Sequence, residues 1–156
     1  MDRQTVIAGE TKLRVRYAET DKMGVVYHTN FAIWFEVGRV ELLRQLGFEY
    51  SNMENEDNCH IPVVDLRVRY KAPALYDDEI VIRTELKNVR RSLLHFGYEV
   101  SRCNGDQALL ATGETTHIIV DRDLRRCPLP DKYMNAFGAQ SKVSGSAELL
   151  KTQGNS

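Results

Sequence analysis

The sequence predicts an α+β fold in which an antiparallel sheet of about five strands wraps around one long central helix. Three observations predict it. Apolar and polar residues alternate over several short stretches, the period-two pattern of strands with one buried face. One stretch only, residues 29–46, changes to helical spacing. Turn chemistry, above all Asn104-Gly105-Asp106, joins neighbouring strands locally, as hairpins do.

Residues 11–18 set Leu13, Val15 and Tyr17 against Lys12, Arg14 and Arg16, and predict the first strand. In the helix over 29–46, Phe31, Phe35, Gly38, Leu42 and Leu46 share one face, which Trp34, Val37 and Leu43 widen. Thr29 or Asn30 can cap its start. Arg44 suits its last turn, and Gly47 supplies a left-handed stop. Glu36 with Arg39, and Glu41 with Arg44, are spaced to pair on the wet side. Gly38 within the apolar face predicts a close approach by another element, a sheet by this reading. Residues 50–58 are polar and read as a loop. Strands resume at 65–71 (Leu66, Val68, Tyr70 alternating with Arg67, Arg69, Lys71), at 80–89 (Ile80, Ile82, Thr84, Leu86), at 93–101 (Leu94, Phe96, Tyr98, Val100) and at 109–120, rich in β-branched residues. Residues 130–137 read as a short closing helical turn. A single domain is expected over 1–137, with 138–156 a mobile tail carrying a frayed helix at 146–151. Five strands cover one helix incompletely, so sheet edges and apolar surface remain and self-association is expected.

Composition narrows the function classes. A chain of 156 residues fits one domain, and a net charge of −1 gives no reason to expect nucleic acid as partner. The N-terminus lacks the apolar core of a secretory signal, and no apolar run approaches the roughly 18 residues of a membrane span. Cys59, Cys103 and Cys127 are odd in number and widely spaced, which argues against a disulfide framework and for a reducing, cytoplasmic setting. The nucleotide-binding glycine motifs, the serine-hydrolase elbow and the histidine and cysteine zinc spacings are absent. Cys59 and His60 are adjacent, a poor spacing for shared metal ligation, so no metal site and no cofactor are expected.

The stretch that carries chemistry is Tyr17 to Phe31, YAETDKMGVVYHTNF, in which a carboxylate, a glycine and an imidazole stand before the most apolar helix. Tyr17, Thr20-Asp21, Gly24, Val25-Val26-Tyr27-His28, Asn30, Phe35-Glu36 and Arg39 together closely resemble the signature of the 4-hydroxybenzoyl-CoA thioesterase family, in its acyl-CoA thioesterase branch. The resemblance covers residues 12–137. It implies the hot-dog fold, dimers often paired into tetramers, and an active site at the dimer interface drawing on both chains. It implies Asp21 as the catalytic carboxylate, either nucleophile or general base, with His28 at a position that is histidine in this branch. Position 31 is Phe where many relatives have Tyr.

The chemistry suits these groups. Thioester hydrolysis builds negative charge on the carbonyl oxygen, which unpaired N–H groups at a helix start stabilise. The N–H of His28 or of a neighbour is placed there. The thiol leaves as a thiolate without a strong acid. Gly24 leaves room for the substrate carbonyl, Asn30 can cap the helix or bond the acyl group, and Tyr17 and Tyr27 complete the substrate-binding set. Coenzyme A, here part of substrate and product, carries phosphates. Arg90, Arg91 and Ser92 resemble the family's phosphate-contacting segment, with Lys71 and Arg125-Arg126 as weaker candidates. Plainer readings stand beside each: Asp21 as a turn residue, His28 as a structural histidine, Glu36 as half of an ion pair with a reserve catalytic role, and the arginines as a solvated strand end. The expected activity is hydrolysis of an acyl-CoA to a free acid and coenzyme A. The alternatives are a dehydratase or hydratase on the same fold, and a non-catalytic module that binds acyl-CoA or acyl-carrier protein.

Overall fold

The computed structural model describes residues 6–138, so the tail expected over 138–156 lies, apart from Gly138, outside the described residues. Five strands form one antiparallel sheet: β1 (Ile7–Arg14), β2 (Val63–Tyr70), β3 (Glu79–Arg90), β4 (Leu93–Arg102) and β5 (Leu109–Ile118), in the order β1-β3-β4-β5-β2. The long helix α1 (Asn30–Gln45) lies on one face of the sheet, off centre, packed chiefly on β1 and β3. Two short helices, α2 (Tyr50–Asn55) and α3 (Asp131–Tyr133), the latter continuing as a π-helical turn over Met134–Gly138, complete the described fold. The hot-dog arrangement is therefore present, with the helix set toward the β1 side of the sheet rather than at its centre as expected.

The alternations place side chains as expected. Ile80, Ile82, Thr84 and Leu86 of β3 and Leu94, Phe96, Tyr98 and Val100 of β4 are all buried. They meet Trp34, Phe35, Leu42 and Leu43 of α1, with the Phe35 ring stacked on Tyr98 at 4.3 Å. The chain leaves α1 through Gly47 at φ +95°, where Gly47 N–H bonds the carbonyl of Arg44 and Phe48 N–H that of Leu43, the paired closure of a Schellman motif. The β4–β5 connection around Asn104-Gly105 is longer than a two-residue turn, with positive φ at Gly105 and Gln107.

Four expectations change. The first strand runs over Ile7–Arg14 rather than 11–18, because the Glu19 carboxylate accepts the Arg16 N–H at 2.8 Å and draws Tyr17–Glu19 into a 3₁₀ turn. The loop at 50–58 begins as α2, anchored by the buried Met53. Neither Thr29 nor Asn30 caps α1 with its side chain. Arg39 does not pair with Glu36: it is buried, its Nε donating to the Tyr50 hydroxyl at 3.1 Å and its Nη1 to the Tyr98 hydroxyl at 3.4 Å, whereas Glu36 stays exposed. The pair Glu41–Arg44 does form.

Arg39 opens a buried polar chain whose direction is fixed at its far end. His117 Nδ1 lies 2.8 Å from the Ile61 carbonyl, which only accepts, so Nδ1 carries the proton. Nε2 then accepts from the Thr115 hydroxyl at 2.9 Å, Thr115 accepts from the Tyr98 hydroxyl at 2.6 Å, and Tyr98 accepts from Arg39. The chain ties α1 through β4 and β5 to Ile61, two residues ahead of β2. It works only with neutral His117. Burial, with smaller effects of the Arg39 and His95 charges, holds this imidazole down at about 4 despite the bond to Ile61.

Gly38 of α1 meets β3 as expected. A Cβ there would overlap Thr84 Oγ1 and sit 2.9 Å from Ile82 Cγ2. Gly38→Ala is therefore expected to destabilise by about 1–3 kcal/mol despite the better helix propensity of alanine. Urea unfolding checks it, and unchanged or increased stability would contradict the close packing. His117 contributes to the acid side of the stability profile. The unfolded chain takes up a proton near 6.5 and the folded one only near 4. The stabilisation is thus complete above about pH 6.5 and is lost as pH falls toward 4, by up to about 3 kcal/mol. Urea midpoints for wild type and His117→Gln between pH 7 and 4 should converge toward the acid end.

Candidate active site

Residues 20–29 link the 3₁₀ turn to α1, and Glu19 fastens this loop at both ends. Its carboxylate is buried, accepting the Arg16 N–H and the Trp34 indole N–H at 3.0 Å. Burial alone would raise the carboxyl's proton affinity, but these bonds and the Arg16 side chain lower it below the usual carboxylate range. The Glu19 carbonyl accepts Tyr27 N–H at 2.9 Å and Asn30 Nδ2 at 2.9 Å. Strand end, loop end and helix start therefore meet at one residue.

Within the loop, Asp21 is half-buried. Its Oδ1 accepts the Met23 N–H at 2.8 Å and its own N–H bonds the Val25 carbonyl at 2.8 Å. This is turn geometry, and it presents the carboxylate at the surface of the loop. Gly24 has φ +83°, with nothing within 4 Å of where a Cβ would stand. The turn before α1 then closes tightly: Asn30, Phe31 and Ala32 N–H reach back to the carbonyls of Tyr27, His28 and Thr29 at 3.0, 3.3 and 3.2 Å. Among the described residues the N–H groups of His28 and Thr29 have no acceptor. Two donors at the positive end of a 16-residue helix thus lie in the same loop as the Asp21 carboxylate.

The His28 ring is exposed and packs on Tyr27 at 4.4 Å between centroids. Beside it a cleft of about 290 Å³ is lined by Val26, His28, Phe31, Tyr70, Lys71 and Ala72 to Ala74. Asn30 turns to Glu19. Tyr17 is exposed, edge-on to Tyr76 at 5.9 Å. The loop thus brings Asp21, Gly24, Tyr27, His28 and Asn30 together, and Tyr17 flanks them.

Arg90, Arg91 and Ser92 lie elsewhere. Arg91 and Ser92 form the link between β3 and β4, while the Asp21 loop bonds Ala74 and Leu75 near the opposite end of β4. Ten residues of β4 span about 30 Å. Arg126, a weaker candidate in the sequence, joins the link: its Nη2 donates to the Ser92 carbonyl at 3.2 Å and hydroxyl at 3.3 Å. Arg91, Ser92 and Arg126 line a cleft of about 410 Å³. Lys71 is at the other end, with His28. One chain therefore holds two separate groupings, one with a carboxylate and helix donors, the other with arginines.

Sequence reasoning missed Glu19, Tyr70 and the Arg39–His117 chain. Glu19 stands inside the signature stretch but in no periodic pattern that marks burial. Among the described residues no group of three or more His, Cys, Asp or Glu side chains could hold a metal ion, and no helix is long and apolar enough to cross a membrane.

Known proteins resemble this arrangement over most of its length. YneP of Bacillus subtilis (strain 168) is 40% identical over 126 residues, covering 81% of this chain and 87% of that one. The acyl-CoA thioester hydrolase YbgC of Escherichia coli O6:H1 is 34% identical over 109 residues, 70% of this chain and 79% of its own. Among solved structures, a DHNA-CoA thioesterase from Staphylococcus aureus superposes with a TM-score of 0.84 at 31% identity, over 92% of this chain and 97% of that one. The family model of the thioesterase-like superfamily matches residues 15–137, and the chain belongs to that superfamily.

Proposed function

We propose that the chain is an acyl-CoA thioesterase that hydrolyses its substrate to a carboxylic acid and coenzyme A at a site shared by two copies. The observation that carries the reading is the loop from Thr20 to Thr29, which joins the Asp21 carboxylate to the two unpaired N–H groups at the start of α1. An acyl-CoA thioester hydrolase, YbgC, is among its relatives.

The reaction follows from these parts. The thioester carbonyl lies against the His28 and Thr29 N–H groups, which stabilise the oxyanion. Asp21 takes a proton from the attacking water, or attacks the carbonyl carbon itself to give an anhydride that water then opens. The C–S bond breaks and the sulfur leaves as thiolate. Gly24 keeps the approach to the loop open. His28 forms a wall of the acyl cleft.

Self-association supplies the missing half. β2 is a sheet edge, and its apolar residues Val63, Val64, Leu66 and Tyr70 are 42–54% exposed, an edge that invites pairing. A two-fold antiparallel pairing of β2 with its copy, centred on the strand, sets Tyr70 of one chain beside Val63 of the other. Val63 faces His117, which faces Leu94, close to Ser92. The arginine half-site of one copy thus approaches the Asp21 loop of the other, and Arg90, Arg91 and Arg126 meet the phosphates of coenzyme A. We also propose that two such dimers pair into a tetramer and that the enzyme works in the cytoplasm, a reducing setting that suits its three free cysteines.

Purified protein is expected to release free thiol from acyl-CoA, and Asp21→Asn to lower kcat by about 10²–10⁴-fold with unchanged circular dichroism. Full turnover by Asp21→Asn would remove the carboxylate from the mechanism.

A further inference from the structure

Resting on the thioesterase reading, we infer that Tyr70 is a positioning residue that aims the Thr29 N–H at the thioester oxygen. The carbonyl of His28 and the N–H of Thr29 belong to one peptide plane, so whatever fixes the carbonyl fixes the direction of the N–H. Two donors hold that carbonyl. One is the helix's own Phe31 N–H, at a long 3.3 Å. The other comes from across the fold: the Tyr70 hydroxyl donates to His28 O at 2.9 Å.

The phenol is itself held. Its ring stands edge-on to Phe31 at 5.3 Å between centroids and edge-on to His28 at 6.2 Å, with interplanar angles of 88° and 89°. A carbonyl that accepts a hydrogen bond also polarises the N–H of the same peptide, which makes Thr29 a stronger donor to developing negative charge. The bond is therefore a contact on the opposite side of the peptide from the substrate. The Thr29 N–H, free among the described residues, is what it leaves available.

The position of Tyr70 gives the contact a second consequence. It is the last residue of β2, the exposed edge strand, and its ring is half exposed in the single chain. Docking of a second copy along β2 closes over this ring and fixes the phenol. Assembly and oxyanion geometry are then coupled through one hydroxyl.

Tyr70→Phe keeps the ring and removes only the hydroxyl. The expected result is a kcat lowered about 10-fold or more with KM for acyl-CoA unchanged and the oligomer mass of wild type. A purely structural role would instead move thermal stability or mass and leave the kcat of the folded fraction intact. Wild-type kcat in Tyr70→Phe would overturn the inference while leaving the thioesterase reading standing on Asp21. A second readout needs no turnover: in ¹⁵N-labelled, substrate-free protein, Tyr70→Phe should shift the Thr29 amide resonance. An unmoved Thr29 amide would equally overturn the inference.

Discussion

The chemistry of this chain depends on how the end of the first strand is held to the start of α1, and a buried glutamate, Glu19, holds it. Its carboxylate bonds the backbone ahead of the loop and the indole of Trp34, and its carbonyl bonds the backbone and side chain at the loop's far end. Such a group is tolerable in a core because every bond it needs is made within the protein. Between its contacts only Val26 is buried in the core, and the other loop residues stay at or near the surface. They can afford a glycine at positive φ, an exposed imidazole and two unpaired N–H groups, features that would weaken a loop with no such anchor.

The second constraint is topological. β2 follows α1 in sequence but pairs at the far edge of the sheet, beside β5. This leaves its apolar side chains uncovered and its backbone open along one side. The same topology separates the arginine link from the Asp21 loop by the length of a strand. In the proposed dimer, edge pairing of two copies satisfies the open backbone edge and brings the Asp21 loop of one chain toward the arginine link of the other. The Arg39–His117 chain reinforces this edge from within, because it ends on the carbonyl just ahead of β2.

Much of the fold was legible in the sequence because it rests on periodicity. The alternations of β3 and β4 located the buried faces, and the spacing of α1 located its core stripe and both ends. Gly38 disclosed a close approach that Thr84 and Ile82 now account for. What escaped depends on partners distant in sequence. Arg39 reads as a wet-face residue beside Glu36, yet its burial is decided by phenols 11 and 59 positions away. α2 is a polar stretch whose helical form hangs on Met53 and Tyr50. In the candidate site, the signature stretch marked Asp21, Gly24 and His28, which one short loop holds together. It could not separate Arg90 to Ser92 from them, because strand order has no local signal. The period-two pattern of β2 likewise announced an apolar face without telling what covers it.

In the proposed enzyme, one working site takes its carboxylate from one chain and its arginines from another. Mixing the Asp21→Asn chain with an Arg90→Ala/Arg91→Ala chain, by co-refolding in equal amounts, tests it directly. Hydrolysis is measured at an acyl-CoA concentration well below the wild-type KM. Shared sites predict that the mixed dimers regain one intact site each, about a quarter of wild-type activity by random pairing. Activity no higher than the average of the two variants assayed apart would show that both halves act within one chain and would contradict the account.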